Sequence, residues 1–212
     1  MTWIKPSLPA TWQRELRRAR VQWDPWRHAA AGPGPGLRAG GPAFRWRRGG
    51  GWGRVGRMEP LHWKLVVDCA DPHAQAAFWA AALRYEEEDH SKLVGQLLGA
   101  GAVPEAVTVT VHAGEPEERL GWHDLAAVRH PDDPVSEENG AGLGRRILFQ
   151  RVPEAKTVKN RLHLDVHAPP GTRDAEVERL EGLGAAVLRR VAEQGGAWVV
   201  MTDPEGNEFC VQ

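Results

Sequence analysis

The sequence predicts an α+β fold made of two similar modules, each a strand and a helix followed by three strands. Residues 61–68 (LHWKLVVD) and 162–167 (LHLDVH) are similar strand-forming stretches with a histidine near the start. Each leads through a proline-containing turn into a helix-forming segment, which indicates a repeated unit. The segments after each helix have the character of antiparallel strands, so we expect two small sheets that pair.

The first module is predicted over residues 60–152. Asp71 and Pro72 follow its first strand and suit the N-cap and first position of a helix that reaches about Leu83. Residues 91–120 are the least regular part, and we expect an elaborated connection there. The segments expected after the helix are an edge strand at 85–89, helical spacing at 93–98, and strands at 107–112, 124–129 and 145–152.

A linker is predicted at residues 153–159 and the second module at 160–212. Gly182 and Gly184 are expected to end its helix, and Gly195-Gly196 favours a tight hairpin. Its predicted elements are a strand at 161–167, a helix at 173–182, and strands at 186–192, 197–202 and 208–212. The aromatic residues expected to fill the space between helices and sheets are Trp63, Phe149, Trp198 and Phe209.

Residues 1–57 differ sharply from the rest of the chain. They contain 12 lysines and arginines against two acids, a net charge of +10, whereas residues 58–212 carry −11. They could be a basic arm for nucleic acid, a targeting peptide, or a segment that is not under structural selection. Their composition is typical of GC-rich DNA translated without selection. We therefore expect them to be disordered or to precede a natural start at Met58, and we expect no nucleic-acid partner.

Several classes of protein are not expected from the remaining composition. The only cysteines are Cys69 and Cys210, which excludes a disulfide framework and favours a reducing, cytoplasmic location. No apolar stretch is long enough to cross a bilayer, so no membrane partner is expected. The sequence also has no Ser/His/Asp order, phosphate-binding loop or zinc-finger spacing, which argues against nucleophilic hydrolysis and nucleotide binding.

The order of elements and three motifs resemble the vicinal oxygen chelate superfamily, which includes glyoxalases, bleomycin resistance proteins and ring-cleaving dioxygenases. The motifs are FQRVPE at 149–154, KNRLHLDV at 159–166 and TDPEGNEF at 202–209. They are most similar to the bacterial glyoxalase-like domain branch. Over residues 60–212, the resemblance implies paired, curved, mostly antiparallel sheets that form an open barrel with the helices outside. It implies a small-molecule ligand and leaves open whether the chain is a monomer or a homodimer.

The resemblance also implies that inward side chains from four strands hold a divalent metal ion. The residues at these positions are His62, Gln150, His163 and Cys210. Cys210 stands where metal-binding members usually have a glutamate, and a set with imidazole and thiolate favours zinc. In the alternative interpretation, the same side chains line a pocket without a metal.

Four further residues are predicted around this site. Glu208 lies two residues before Cys210 on the same strand face and is the nearest carboxylate that could act as general base. Lys64, Asp165 and His167 share strand faces with His62 and His163 and are expected in the substrate pocket.

Two functions are compatible with these residues. In the first, the protein is a metal-assisted lyase or isomerase, and the cation polarises a carbonyl group of a small oxygenated molecule. In the second, it is a metal-free module that binds or sequesters a small aromatic or drug-like compound.

Overall fold

The computed structural model describes residues 63–212, and both His62 and residues 1–57 lie outside that range. The described part of the chain forms two mixed sheets with three α-helices, which confirms the predicted α+β class. The helices are Pro72–Leu83 (α1), Ser91–Gly99 (α2) and Arg173–Gly182 (α3). The strands are Leu65–Cys69 (β1), Glu86–Glu87 (β2), Thr108–Val111 (β3), Arg119–Trp122 (β4), Leu125–Arg129 (β5), Arg146–Arg151 (β6), Asp165–Val166 (β7), Ala186–Glu193 (β8), Gly196–Thr202 (β9) and Glu208–Val211 (β10).

The first module forms sheet one, in the order β1-β6-β5-β4-β3, with β2 paired to β5. β1 runs parallel to β6, and the other pairs are antiparallel. α1 begins where the sequence predicts, because the Asp71 side chain accepts hydrogen bonds from the amides of His73 and Ala74 and Pro72 opens the first turn.

The second module forms sheet two, in the order β7-β10-β9-β8. β7 is parallel to β10, whereas β9 is antiparallel to both β10 and β8. The predicted order of strand, helix and three strands is confirmed here. The first strand is much shorter than expected, because only Asp165 and Val166 form ladder pairs. Residues 152–164, between β6 and β7, contain neither helix nor strand.

The first module contains elements beyond the strand, helix and three strands of the predicted unit. The helical spacing at 93–98 belongs to a second helix, α2, and a short 3₁₀ helix at Glu105–Val107 precedes β3. β4 has no counterpart in the prediction because Gly121 interrupts its side-chain pattern. A Cβ atom at Gly121 would lie 2.8 Å from a Val111 methyl group, so this close approach of two strands requires glycine.

One apolar core joins the two modules. Phe78 and Trp79 of α1 pack edge to face against Phe209 of β10, with ring centroids 6.5 and 5.2 Å from it. Trp79 also donates a hydrogen bond of 3.3 Å to Asp203 through its indole nitrogen. The predicted burial of Phe149 and Phe209 is confirmed, but that of Trp63 is wrong, because 88% of this side chain is exposed.

Polar contacts also connect the modules close to the start of α1. The Glu205 carboxylate accepts hydrogen bonds from the amides of Ala70 and Asp71, at 2.7 and 2.8 Å. Together with the shared core, this contact sets the position of β1 relative to β7 and β10. Among residues 63–212, no helix has the length and apolar character required to span a bilayer.

Candidate functional site

A groove of about 790 Å³ is lined by the start of β1 and by β7, the outer strands of their sheets. The end of α1 and the connection between β5 and β6 form its other walls. Lys64, Asp165 and His167, the three residues expected in a substrate pocket, all line this groove. Its volume and mixed polar and apolar lining suit a small organic molecule.

A cluster of three potential metal ligands adjoins this groove. One ligand atom each from His163, Asp165 and Cys210 lies within 4.8 Å of the other two, and the His163 Nε2 atom is 3.4 Å from Asp165 Oδ1. The parallel register of β7 and β10 places Cys210 opposite Asp165, and the two-residue period places His163 on the same face. Asp165 therefore belongs both to the cluster and to the groove wall.

The surroundings of the cluster affect its carboxylate and its thiol. Gln212 donates a hydrogen bond of 3.0 Å to Asp165 Oδ2, which leaves Oδ1 directed towards His163. Burial and the nearby Asp165 carboxylate raise the pKa of the Cys210 thiol, and the positive charges of Lys159 and Arg189 act against this shift.

The donor set fits a divalent metal ion. Imidazole, carboxylate and thiolate are all zinc ligands, and ligand atoms around a tetrahedral zinc ion lie about 3.3–3.8 Å apart. The separation between His163 and Asp165 already meets that requirement, and small rotations of exposed side chains would bring the others within it.

The structure describes three of the four residues predicted as metal ligands, and two of these three lie together. His163 and Cys210 come together, and Asp165, expected only in the pocket, joins them. Gln150 lies in sheet one, where its register partners are Asp68 of β1 and Leu125 of β5. His62 lies outside the described residues.

Glu208, predicted as the general base, has partners of its own. Its carboxylate accepts a 2.9 Å hydrogen bond from the Asn160 amide and lies 3.2 Å from Lys156 Nζ. The hydrogen bond from Asn160, together with the Lys156 ammonium group, lowers the pKa of Glu208 to about 2. Such a carboxylate is a weak base, and its geometry is suited to holding residues 156–160 against β10.

The groove wall formed by residues 131–145 is fastened through a buried glutamate. The Glu88 side chain is fully buried, and Arg146 binds both of its oxygens at 2.6 and 2.7 Å. The same carboxylate accepts a 2.7 Å hydrogen bond from the Gly142 amide. Burial alone would raise the pKa of Glu88, but hydrogen bonds from His90, Arg146 and Gly142 lower it to about 2.

Glycines allow this wall to pack closely. A Cβ atom at Gly140, where φ is +76°, would overlap the Asp89 carbonyl oxygen. A Cβ atom at Gly142 would lie 2.8 Å from the Arg129 Cβ, and one at Gly144 would collide with the Asp133 side chain. Leu143 and Arg145, between and after these glycines, line the groove.

His90 connects this wall to Glu88 through both nitrogens of its ring. Nδ1 lies 2.5 Å from the Asn139 carbonyl oxygen, and Nε2 lies 3.2 Å from Glu88 Oε2. A neutral imidazole has only one N–H group, so a ring that donates hydrogen bonds to both of these oxygens must be in the imidazolium form. Burial acts to lower the pKa of His90, but the hydrogen bonds to Glu88 and Asn139 outweigh it and raise the pKa. The other charges around the ring are those of Arg146 and Asp89.

We expect the contribution of His90 to stability to depend on pH. Because its pKa is raised in the folded state, the contribution is complete below pH 6.5 and is lost as the pH rises through the folded-state value. The free energy of unfolding of wild type minus that of His90→Gln should fall by about 1–2 kcal/mol between about pH 6 and pH 9. Urea denaturation at several pH values measures it, with His123→Gln, an exposed histidine, as control. If the difference in the free energy of unfolding between the two proteins did not change with pH, His90 would not be held as an imidazolium.

Sequence reasoning missed the contribution of several groove residues. Arg84 lines the groove from the end of α1, where its backbone has φ +56°, and it binds Glu176 of α3 at 3.0 Å. No motif marks Arg84, Glu88 or His90, because their partners lie far away in the sequence. The unusual Gly-x-Gly-x-Gly spacing at 140–144 was the available signal for a closely packed wall.

Comparison with known proteins gives one family and several structural neighbours. The model of the family described as "Glyoxalase-like domain" matches residues 64–212. The fosfomycin resistance protein FosX from Mesorhizobium loti is 10% identical, with 73% of this chain and 92% of that chain covered and a TM-score of 0.43. A bleomycin-binding protein from Streptomyces verticillus, in complex with copper(II)-bleomycin, is 16% identical over 73% of this chain and 97% of that chain, with a TM-score of 0.40. No curated protein matches the sequence.

Proposed function

Because the chain belongs to the glyoxalase-like domain family, we propose that its groove binds a small oxygenated molecule next to a divalent metal ion held by His163, Asp165 and Cys210. The observation that carries this proposal is the convergence of three ligand atoms within 4.8 Å at the groove wall. The donor set favours zinc, and a three-residue set leaves a coordination position open, as in catalytic zinc sites. The activity that this arrangement supports best is that of a lyase or isomerase.

The metal would supply Lewis-acid polarisation of a ligand oxygen. The chain itself supplies orientation, because Gln212 holds the Asp165 carboxylate and Asp165 faces His163. His167 lines the groove with an imidazole, the side chain that most often transfers protons in enzymes. We assign the proton-transfer role to His167 in preference to Glu208, whose carboxylate is occupied by Lys156 and Asn160.

A second candidate function is binding without a metal. The apolar part of the groove lining favours it, because a pocket with apolar walls can bind a small organic molecule without a metal. In that case the groove would bind an apolar or aromatic compound between Trp63, Leu143 and the strand edges.

Zinc titration separates the two candidates. Protein purified without chelators should contain about one zinc ion per chain, and His163→Ala or Cys210→Ser should each weaken zinc binding by at least about 100-fold. Gln212→Ala should weaken it by about 10-fold, as expected for a group that orients a ligand. The matched controls are His123→Ala and Cys69→Ala, which remove a histidine and a cysteine outside the cluster. Wild-type protein that binds no zinc by calorimetry would leave metal-free binding as the function.

A further inference from the structure

In sheet two, residues paired across the four strands form a row of side chains that begins at the ligand cluster. Asp165 is paired with Cys210, Cys210 with Val200, and Val200 with Arg189. Residues paired in this way lie on the same face of a sheet. The adjacent Val199 belongs to the core on the opposite face. Arg189 therefore shares a face with the cluster, two strand spacings or about 10 Å from Cys210.

A β-bulge determines which of two adjacent arginines lies on this face. Between Val187 and Arg189 the register shifts by one residue, so that Arg190 is paired with Val199. Arg190 lies on the helix side, where it binds Asp174 of α3 at 2.7 Å. In a regular ladder the two arginines would exchange faces. Bulges are frequent next to functional sites because they redirect a side chain in this way.

A second cation reaches the cluster from the connection between the modules. Glu208 lies on the same face of β10 as Cys210 and holds the Asn160 amide at 2.9 Å. Lys159 directly precedes that amide, so the same hydrogen bond fixes the backbone of Lys159 beside Glu208, two residues before Cys210 on β10. Among residues 63–212, neither Lys159 nor Arg189 forms an ion pair. Two cations that have no acidic partner within the described part of the chain thus flank the cluster.

We infer that this site selects a small anionic molecule and that Lys159 and Arg189 bind its carboxylate or phosphate group. The inference builds on the small-molecule site proposed above and adds the charge of the ligand. A guanidinium group binds oxyanions through two parallel N–H groups, and an ammonium group adds a mobile point charge. In this arrangement Glu208 is a positioning residue, because it holds the segment that carries Lys159.

Alkylation of Cys210 in metal-free protein tests the inference with two probes of similar size. Iodoacetate is an anion and iodoacetamide is neutral, and with either one the thiolate displaces iodide. The ratio of the two rates, measured at Cys210 by peptide mass analysis, cancels any change in the reactivity of the thiol itself. Relative to wild type, Arg189→Gln and Lys159→Gln should each lower the iodoacetate-to-iodoacetamide ratio by about two- to five-fold. Glu208→Gln should reproduce part of the loss caused by Lys159→Gln.

Control variants distinguish a charge effect from a loss of structure. Arg190→Gln should leave the ratio unchanged, and Arg189→Lys should restore most of it. About 0.5 M salt should reduce the wild-type preference for iodoacetate. Equal ratios in wild type and Arg189→Gln would overturn the inference, as would a Cys210 that reacts with neither reagent. These measurements need no metal, so a failed zinc titration would refute the metal proposal and leave the inferred anion selectivity intact.

Discussion

Replacing Glu88 by glutamine is expected to lower the free energy of unfolding by about 3–5 kcal/mol, the usual cost of breaking a buried ion pair from one side. The variant leaves the guanidinium group of Arg146, only 12% exposed, without its counter-charge. It also weakens the hydrogen bonds from His90 and the Gly142 amide, so the groove wall at 131–145 should loosen. Urea denaturation near pH 7 measures the change in stability, and hydrogen exchange at residues 139–145 measures the loosening.

Glu86→Gln is the matched control for this experiment. Glu86 lies in β2, two residues before Glu88, and pairs with Arg129, but it is half exposed. Its replacement should cost less than about 1 kcal/mol. Because the pKa of Glu88 is about 2 in the folded state, the difference between wild type and Glu88→Gln should also shrink as the pH falls from 4.5 towards 2. A loss of stability no larger than that of Glu86→Gln would contradict the role given to Glu88.

Phe209→Ala is expected to have a similarly large effect, about 3–5 kcal/mol. Phe209 is 1% exposed and fills the space between β10 and the aromatic rings of Phe78 and Trp79, so its removal leaves a cavity between the two modules. The free energy of unfolding should be measured with two probes, tryptophan fluorescence and circular dichroism. Coincident transitions are expected in both wild type and variant, since the modules share one core.

Two further variants control for this result. Phe209→Leu keeps much of the buried volume and should cost less than Phe209→Ala. Trp63→Ala removes an aromatic side chain that is 88% exposed and should change stability by less than about 0.5 kcal/mol. If Phe209→Ala and Trp63→Ala were equally stable, the shared aromatic core would not be a main source of stability.

Local patterns predicted most of the fold. The cap at Asp71 and Pro72, the glycines at the end of α3 and the alternation of valine and threonine in β3 all act over a few residues, so the sequence shows them directly. β4 could not be predicted because Gly121 has no side chain and only its tertiary packing explains it. Trp63 is exposed because it precedes β1, and Leu65 and Leu164 pack against the core at this edge.

The candidate site was predictable where it depends on the period of a strand. The alternation of side chains along a strand places His163 and Asp165 on one face, and it does the same for Glu208 and Cys210. This alternation does not determine the register between two strands. The parallel pairing of β7 with β10 brings Asp165 beside Cys210. The partners of Glu208 come from a segment without regular structure, which no periodic pattern describes.

The alternating glycines of the groove wall limit how the ligand preference of this chain can change. Positions 140, 142 and 144 touch Asp89, Arg129 and Asp133 too closely to accept any side chain. Variation in this wall is therefore confined to the positions between and after them, of which Leu143 and Arg145 line the groove. A library restricted to 143 and 145 should alter which molecules bind while the backbone keeps its course. One built on the glycines should yield mostly misfolded protein.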